Sequence, residues 1–457
     1  MNMIIRIARI LLCAAAVQMT ACLFGSGPEE PPAALDAPSG VVATAGDGHV
    51  AVSWHPVQGA TSYSVYYDTG AAVTKASAHV SAGDTSADIT RLTNGVRYTL
   101  AVSASDGSRE SDLSAVVTAT PVQPPQPLPT ASPQSQGIDS ARLEEAIAFL
   151  GLQTGEDSMR QVVVMRHGYI IKQGPAADSV HHVWSVTKSL CSIVLGLLIG
   201  EGRCSLSTRA ADYVPALAAD ANYARLELRH FVTLTSGYQP ASEDQPFVPG
   251  PSRFPPGASF HYGTEMNLLA LVLTKIAGEP LESYFTRMLA DRIGMDNGAW
   301  HWGNWGTVDG LTVNGGAGTS AKGVYLSALE AARLGQLLLR KGMWNGTALL
   351  SAAWIDSATS VRVPNSLPCD TMTSPLCLAG CYGFNFWVKG IPAGETRPNW
   401  SYAPPGTFLM QGYLFNVVIV IPAWDIVFVR LGHDKELDDY STTLDGFFRL
   451  LGQSRLP

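Results

Sequence analysis

Between Pro121 and Pro133 the chain places Pro121, Pro124, Pro125, Pro127, Pro129 and Pro133 among Gln, Ser and small residues. Neither a helix nor a central strand runs through such a stretch, because each proline lacks an amide hydrogen and fixes its own φ. The segment is predicted to be an extended, semi-rigid spacer of polyproline II character. It divides the chain into regions that must fold separately. With 457 residues there is room for two or three domains, since single cores stop growing at roughly 250 to 300 residues.

Ahead of the spacer, residues 37–121 show short alternating runs split by Gly, Asp and Asn turns, the spacing of an all-β sandwich. Val50, Val52 and Trp54 share one face of a strand, and Ser62 to Tyr67 is a second such run. Pro38, Trp54, Tyr63, Tyr66, Leu92-Thr93-Asn94-Gly95 before Tyr98, and the closing Ala119-Thr120-Pro121 together resemble a fibronectin type III module. Trp54, Leu92 and Tyr98 then fill the space between two sheets, so these aromatics are core rather than a ligand site. No chemistry is expected here. A polymer or surface ligand is the partner such a module would take.

The N-terminus reads as an export signal: Arg6 and Arg9 supply positive charge, Ile10 to Val17 is a short apolar run, and Thr20 and Ala21 are small. A membrane-spanning helix needs a longer run. Met19-Thr20-Ala21-Cys22 resembles a bacterial lipobox, with Met19 where Leu is usual. The resemblance implies a signal peptide over residues 1–21, lipidation of Cys22, and a tether over 22–36. The protein would then be lipid-anchored in the bacterial cell envelope. An ordinary signal peptide cut near the same point would also export the chain.

Apolar residues make up 46% and charged ones 15%, a composition that supports a sizeable packed core. The net charge of -8 leaves no basic stripe of the kind that phosphate-backbone binding needs, so nucleic acid is not an expected partner. Beyond Cys13 and Cys22 an odd number of cysteines remains, so at least one is free or paired between chains. Cys369, Cys377 and Cys381 crowd one loop, where an exported protein can form one short disulfide. That loop has no His and no second ligand pair follows, so neither a zinc site nor any other metal or cofactor is expected.

Beyond a linker at 122–137, residues 138–456 form the second domain. Asp139 is a candidate helix cap, followed by Leu143, Ile147 and Leu150 on one helical face. Gln161 to Met165, the turn Arg166-His167-Gly168 and Tyr169 to Lys172 read as a hairpin. Val417 to Ile421, the turn Pro422-Ala423-Trp424-Asp425 and Ile426 to Leu431 read as another. Helical patterns lie between, over Ser185 to Ile199, Leu268 to Ile276 and Leu329 to Leu339. Sheet at both ends with helices between predicts an α+β domain: one antiparallel sheet with flanking helices and a helical subdomain.

The chemistry centres on Val183-Trp184-Ser185-Val186-Thr187-Lys188-Ser189. Ser185 and Lys188 stand three apart, so a helix starting near Ser185 puts both on one face. The following residues, Leu190 to Ile199, are apolar nearly all round, which indicates burial. A buried lysine loses part of its preference for the charged form and can accept the serine proton. No other Lys here has a Ser three residues before it, and no G-x-S-x-G elbow occurs.

This Ser-x-x-Lys pattern is that of penicillin-recognising enzymes. Leu228 to Gly237, Pro255-Pro256-Gly257 leading to Phe260-His261-Tyr262, Leu268-Leu269, Ala277-Gly278, Gly342 to Gly346 and Tyr382-Gly383-Phe384 extend the resemblance across 138–456. The region resembles the superfamily of class C β-lactamases, D-alanyl-D-alanine peptidases, family VIII esterases and 6-aminohexanoate-dimer hydrolases. The resemblance implies a β-lactamase/transpeptidase-like fold, with Tyr262 as a second proton carrier. Tyr262-Gly263-Thr264 departs from the usual Tyr-x-Asn or Tyr-x-Ser, and Thr264 would replace the polar residue that meets substrate. His261 alternates away from Tyr262 and is read as structural.

The third motif, Lys-Thr-Gly in β-lactamases, should precede the C-terminal hairpin, where the chain has Phe408-Leu409-Met410-Gln411-Gly412-Tyr413 and no Lys or His. Without that cation a carboxylate-bearing ligand such as penicillin is disfavoured. Main-chain N–H groups of Ser185 and of Tyr413, or a strand neighbour within a residue or two, would form the oxyanion hole. Gly412 would let substrate approach closely. Gly315-Gly316-Ala317-Gly318 lacks the Gly-Lys-Ser/Thr of a phosphate loop and reads as a mobile loop bordering the pocket. Trp300, Trp302 and Trp305 read as packing at the lid of the helical subdomain, with a substrate platform as the other reading.

Expected, then, is a serine hydrolase acting on a small ester or amide through an acyl-Ser185 intermediate, with Lys188 and Tyr262 as proton carriers. A D,D-peptidase or β-lactamase, and a non-catalytic surface-binding lipoprotein, are the competing functions.

Overall fold

The computed structural model describes residues 34–456 apart from 71, 123, 125, 156–158, 371–375 and 434–439. The export segment and Cys22 lie outside the described residues. Two sheets form the first domain. One orders Val42–Gly46, His49–Ser53 and Ser86–Thr90; the other orders Ala78–Ala82, Ser62–Asp68, Tyr98–Ser105 and Val117–Ala119. The alternation in His49–Ser53 turns Val50 and Val52 inward, onto a core that includes Trp54, Tyr63, Ile89, Leu92 and Tyr98. The Tyr98 hydroxyl accepts the Thr93 N–H at 3.1 Å, tying the Leu92–Gly95 turn to the strand that follows. This is the sandwich that the aromatic spacing implies.

The second domain is built on a six-stranded antiparallel sheet, ordered Trp387–Val388, Phe408–Gly412, Asn416–Ile421, Ile426–Leu431, Gln161–Arg166 and Tyr169–Gln173. Its central strands read as continuous apolar runs because both faces are covered. In Asn416–Ile421, Val417, Ile419 and Ile421 face the layer holding Phe447 and Leu143, while Val418 and Val420 face the layer holding Leu190 and Leu334. The first layer comes from helices Ser140–Thr154, capped by the Asp139 side chain, and Tyr440–Gln453. The second comes from Ala328–Leu339 and Val186–Gly200. Helices Met266–Ala277 and Leu281–Phe285 belong to the helical subdomain.

The described part of the proline-rich segment is docked against the second domain rather than a free spacer. Ile170 N–H bonds the Pro129 carbonyl, Ala131 N–H bonds Ile170 O, and Arg333 bonds Gln126 O. The exposed edge strand Tyr169–Gln173 offers unpaired main-chain groups, and the linker satisfies part of them. Cys369 and Cys377 are joined in a disulfide, and Cys381 is a buried free thiol.

Candidate active site

Ser185 occupies the residue just before helix Val186–Gly200. Trp184 ahead of it has φ of 50°, a left-handed kink uncommon for a bulky residue that turns the chain sharply into the helix. One turn on, Lys188 Nζ donates to Ser185 Oγ at 2.9 Å and to the Ala317 carbonyl at 2.8 Å. Lys188 is 3% exposed, because the helix carrying it is enclosed nearly all round. Burial lowers its amine to about 8, against the opposing pull of Glu265.

The Ala317 carbonyl is itself held in place. Asn267 Oδ1 accepts the N–H groups of Gly316 and Ala317, both at 3.0 Å. An added methyl on Gly316 would lie 1.9 Å from Met266 O, and one on Gly318 2.0 Å from Trp184 O. The Gly315–Gly318 stretch is thus a buried floor pressed between helix start and nucleophile turn, which corrects the mobile-loop expectation. Its glycines are required by close backbone approach rather than by mobility.

Tyr262 lines the same cavity as Ser185, and its ring faces Lys188 Nζ at 4.8 Å from the centroid. The ring is wedged by Tyr382 and Trp387 at 6.4 and 6.3 Å. Thr264 is absent from the lining of that cavity; its carbonyl accepts the Asn267 N–H at the helix start. Gly412 lines the cavity, and its bare Cα also lets protein backbone come close: an added methyl would lie 2.1 Å from Val183 O and 3.1 Å from Ser185 N. The strand leading to Tyr413 therefore passes directly beside the nucleophile's amide. Val186, Thr187 and Lys188 N–H groups bond the carbonyls of Val183, Trp184 and Ser185, a set in which the Ser185 N–H takes no part. Tyr413 lines the cavity too, with its ring packed against Trp184 at 5.3 Å.

The cavity measures about 190 Å³ and is walled by Leu376, Trp387, Tyr440 and the residues above, with no charged side chain among the described residues of its lining. Gln411 projects a buried carboxamide there, its Oε1 enclosed and, among the described residues, without a hydrogen-bond partner. A larger cleft of about 670 Å³ lies against Arg97 and Thr120 of the sandwich and Glu279 to Trp300 of the second domain. It contains neither Ser185 nor Lys188, so size does not mark the reactive centre. Trp300 and Trp302 are buried, and Trp302 Nε1 donates to Gly315 O at 2.7 Å, which makes them packing residues. His261 is buried with its amide bonded to Leu234 O.

Glu265, Asn267 and Gln411 went unread in the sequence. The first two are polar residues at the start of an apolar helix, where a cap is the ordinary interpretation. Gln411 is a polar residue in the otherwise apolar run Phe408–Met410, a visible signal that something on that face needs a hydrogen bond.

Comparison with known proteins bears on the family and the fold. A 6-aminohexanoate-dimer hydrolase from Paenarthrobacter ureafaciens is 25% identical over 306 residues, 61% of this chain and 73% of the relative. A penicillin-binding protein homologue from Caulobacter crescentus shares the fold, with a TM-score of 0.52 at 14% identity, over 70% of this chain and 99% of that one. The fibronectin type III model matches residues 36–120. The Beta-lactamase model matches residues 156–445, which take in Ser185, Lys188, Tyr262 and the strand before Tyr413. The chain accordingly belongs to the Beta-lactamase family, with a fibronectin type III domain preceding the family domain.

Proposed function

We propose that the protein is a serine hydrolase that cleaves small esters or amides through an acyl-Ser185 intermediate. The carrying observation is the buried contact of Lys188 Nζ with Ser185 Oγ at 2.9 Å. Ser185 Oγ attacks the substrate carbonyl carbon while its proton passes to Lys188. The resulting oxyanion is met by the main-chain N–H groups of Ser185 and Tyr413. Collapse expels the alcohol or amine, protonated through Tyr262, and water then releases the acid.

Among the described residues the wall is aromatic and uncharged, which supports a substrate without a carboxylate at the acyl end, since an unpaired charge beside those residues would lose its hydration without gaining a partner. The relative's name adds short linear amides to the candidates. A screen of p-nitrophenyl esters, ω-amino-acid amides and nitrocefin identifies the class. Nitrocefin turnover exceeding the others would favour the penicillin-recognising alternative.

A fluorophosphonate probe should place one label, on Ser185. Ser185→Ala should remove that label and lower kcat by several orders of magnitude with the fold intact. A variant that keeps both label and turnover would refute the assignment. As for location, Met19-Thr20-Ala21-Cys22 supports export and a lipid anchor on Cys22. Metabolic labelling with a fatty acid should disappear in Cys22→Ser.

A further inference from the structure

Behind the Ser185–Lys188 pair stands an acid that acyl transfer as described does not use. Glu265 directly precedes helix Met266–Ala277, three residues after Tyr262, and is 2% exposed. Its carboxyl folds back beneath Gly263, where an added methyl would lie 2.7 Å from Oε2. Among the described residues Oε2 is enclosed and has no hydrogen-bond partner, and the side chain that hydrogen-bonds the carboxyl is that of Ser236. A carboxyl shut in this way is unfavourable unless a nearby cation or a function compensates.

Lys188 Nζ stands 4.8 Å from the ring centroid of Tyr262, three residues before Glu265. It bonds the Ala317 carbonyl, which Asn267 orients from two residues beyond Glu265 at the same helix start. Burial raises the Glu265 carboxyl to about 7, opposed by a main-chain hydrogen bond and then by Lys188. Arg253 is the other cation acting on Glu265; Tyr382 feels both Glu265 and Tyr262, Cys191 acts on Lys188, and His261 packs against Gly263. Glu265 is the opposite charge that acts most strongly on Lys188.

We propose that Glu265 is a positioning residue for the acyl-transfer step, its carboxylate serving as the fixed counter-charge for the Lys188 ammonium that forms when Ser185 gives up its proton. The inference rests on the Ser185 reading above. The Ser185 O–H bond breaks, an N–H bond forms on Lys188, and Glu265 meets the new positive charge through space without taking the proton. Loss of the carboxylate therefore has two effects. Free Lys188 becomes easier to deprotonate, so the acid limb of the rate profile moves to lower pH. The ammonium formed during attack is less well stabilised, so the plateau rate falls.

The test is the pH profile of kcat/KM and of fluorophosphonate labelling for the wild type, Glu265→Gln and Glu265→Asp. Glu265→Gln should shift the acid limb down by about one pH unit and lower the plateau about tenfold. Glu265→Asp, with its carboxylate drawn back by one methylene, should fall between. A Glu265→Gln profile with either the wild-type limb or the wild-type plateau overturns the proposal; lost rate with an unmoved limb is what a purely structural role produces. If Glu265→Gln does not fold, an unmoved limb in Glu265→Asp overturns it equally. Labelling of the wild type at a residue other than Ser185 would instead overturn the serine-hydrolase reading.

Discussion

Lys188 acts as a base because of where its helix lies. An exposed lysine holds its proton to roughly pH 10.4; burial brings Lys188 down to about 8. Since only the neutral amine accepts the Ser185 proton, kcat/KM should climb as pH rises through about 8 and fall tenfold per unit below it. A profile flat from pH 6 to 9 would exclude Lys188 as the base. Tyr262→Phe keeps the ring that faces Lys188 and removes only the hydroxyl, so kcat should drop by roughly 10²–10⁴-fold with the melting temperature unchanged. Equal losses of both would make the tyrosine a packing residue.

Among elements, the Gly315–Gly318 floor couples packing to chemistry. Gly316 meets Met266 O so closely that any side chain must push the Gly315–Gly318 stretch away from the helix start. The displaced group would be the Ala317 carbonyl, which holds Lys188. Gly316→Ala should therefore destabilise the fold by about 1–3 kcal/mol and also lower kcat. The decisive measurement is turnover well below the melting transition: full activity there would show that the floor has no role in placing Lys188. Asn267→Ala tests the same connection from the helix side, leaving two buried N–H groups without an acceptor at about 1–3 kcal/mol or more.

For the whole molecule, the docked linker changes what a truncation can remove. Among the described residues the sandwich contributes none to the Ser185 cavity, so deletion of everything before Val122 should leave kcat on a soluble substrate unchanged. A cut at Ser132 removes Gln126 and Pro129, which bond Arg333 and Ile170. That shorter protein should melt lower while its kcat below the transition is preserved. Loss of kcat in the folded Val122 truncation would assign the sandwich a part in turnover. Weakened action on an insoluble polymer alone would give it a targeting role.

Local patterns determined much of this protein before any fold was in hand. Alternation in His49–Ser53, the apolar runs 417–421 and 426–429, and the apolar helix after Ser185 all record burial in neighbouring residues. The Ser185–Lys188 pair is legible for the same reason, since three residues of helix bring both to one face. What holds the pair leaves no such trace. Lys188 bonds a carbonyl 129 residues away, and that carbonyl is set by Asn267, 50 residues from it. The approach of Gly412 to Val183 and Ser185, the enclosure of Glu265 and the docking of the linker likewise join distant segments. No period in the chain encodes such contacts; they arise only when close packing brings separate elements together.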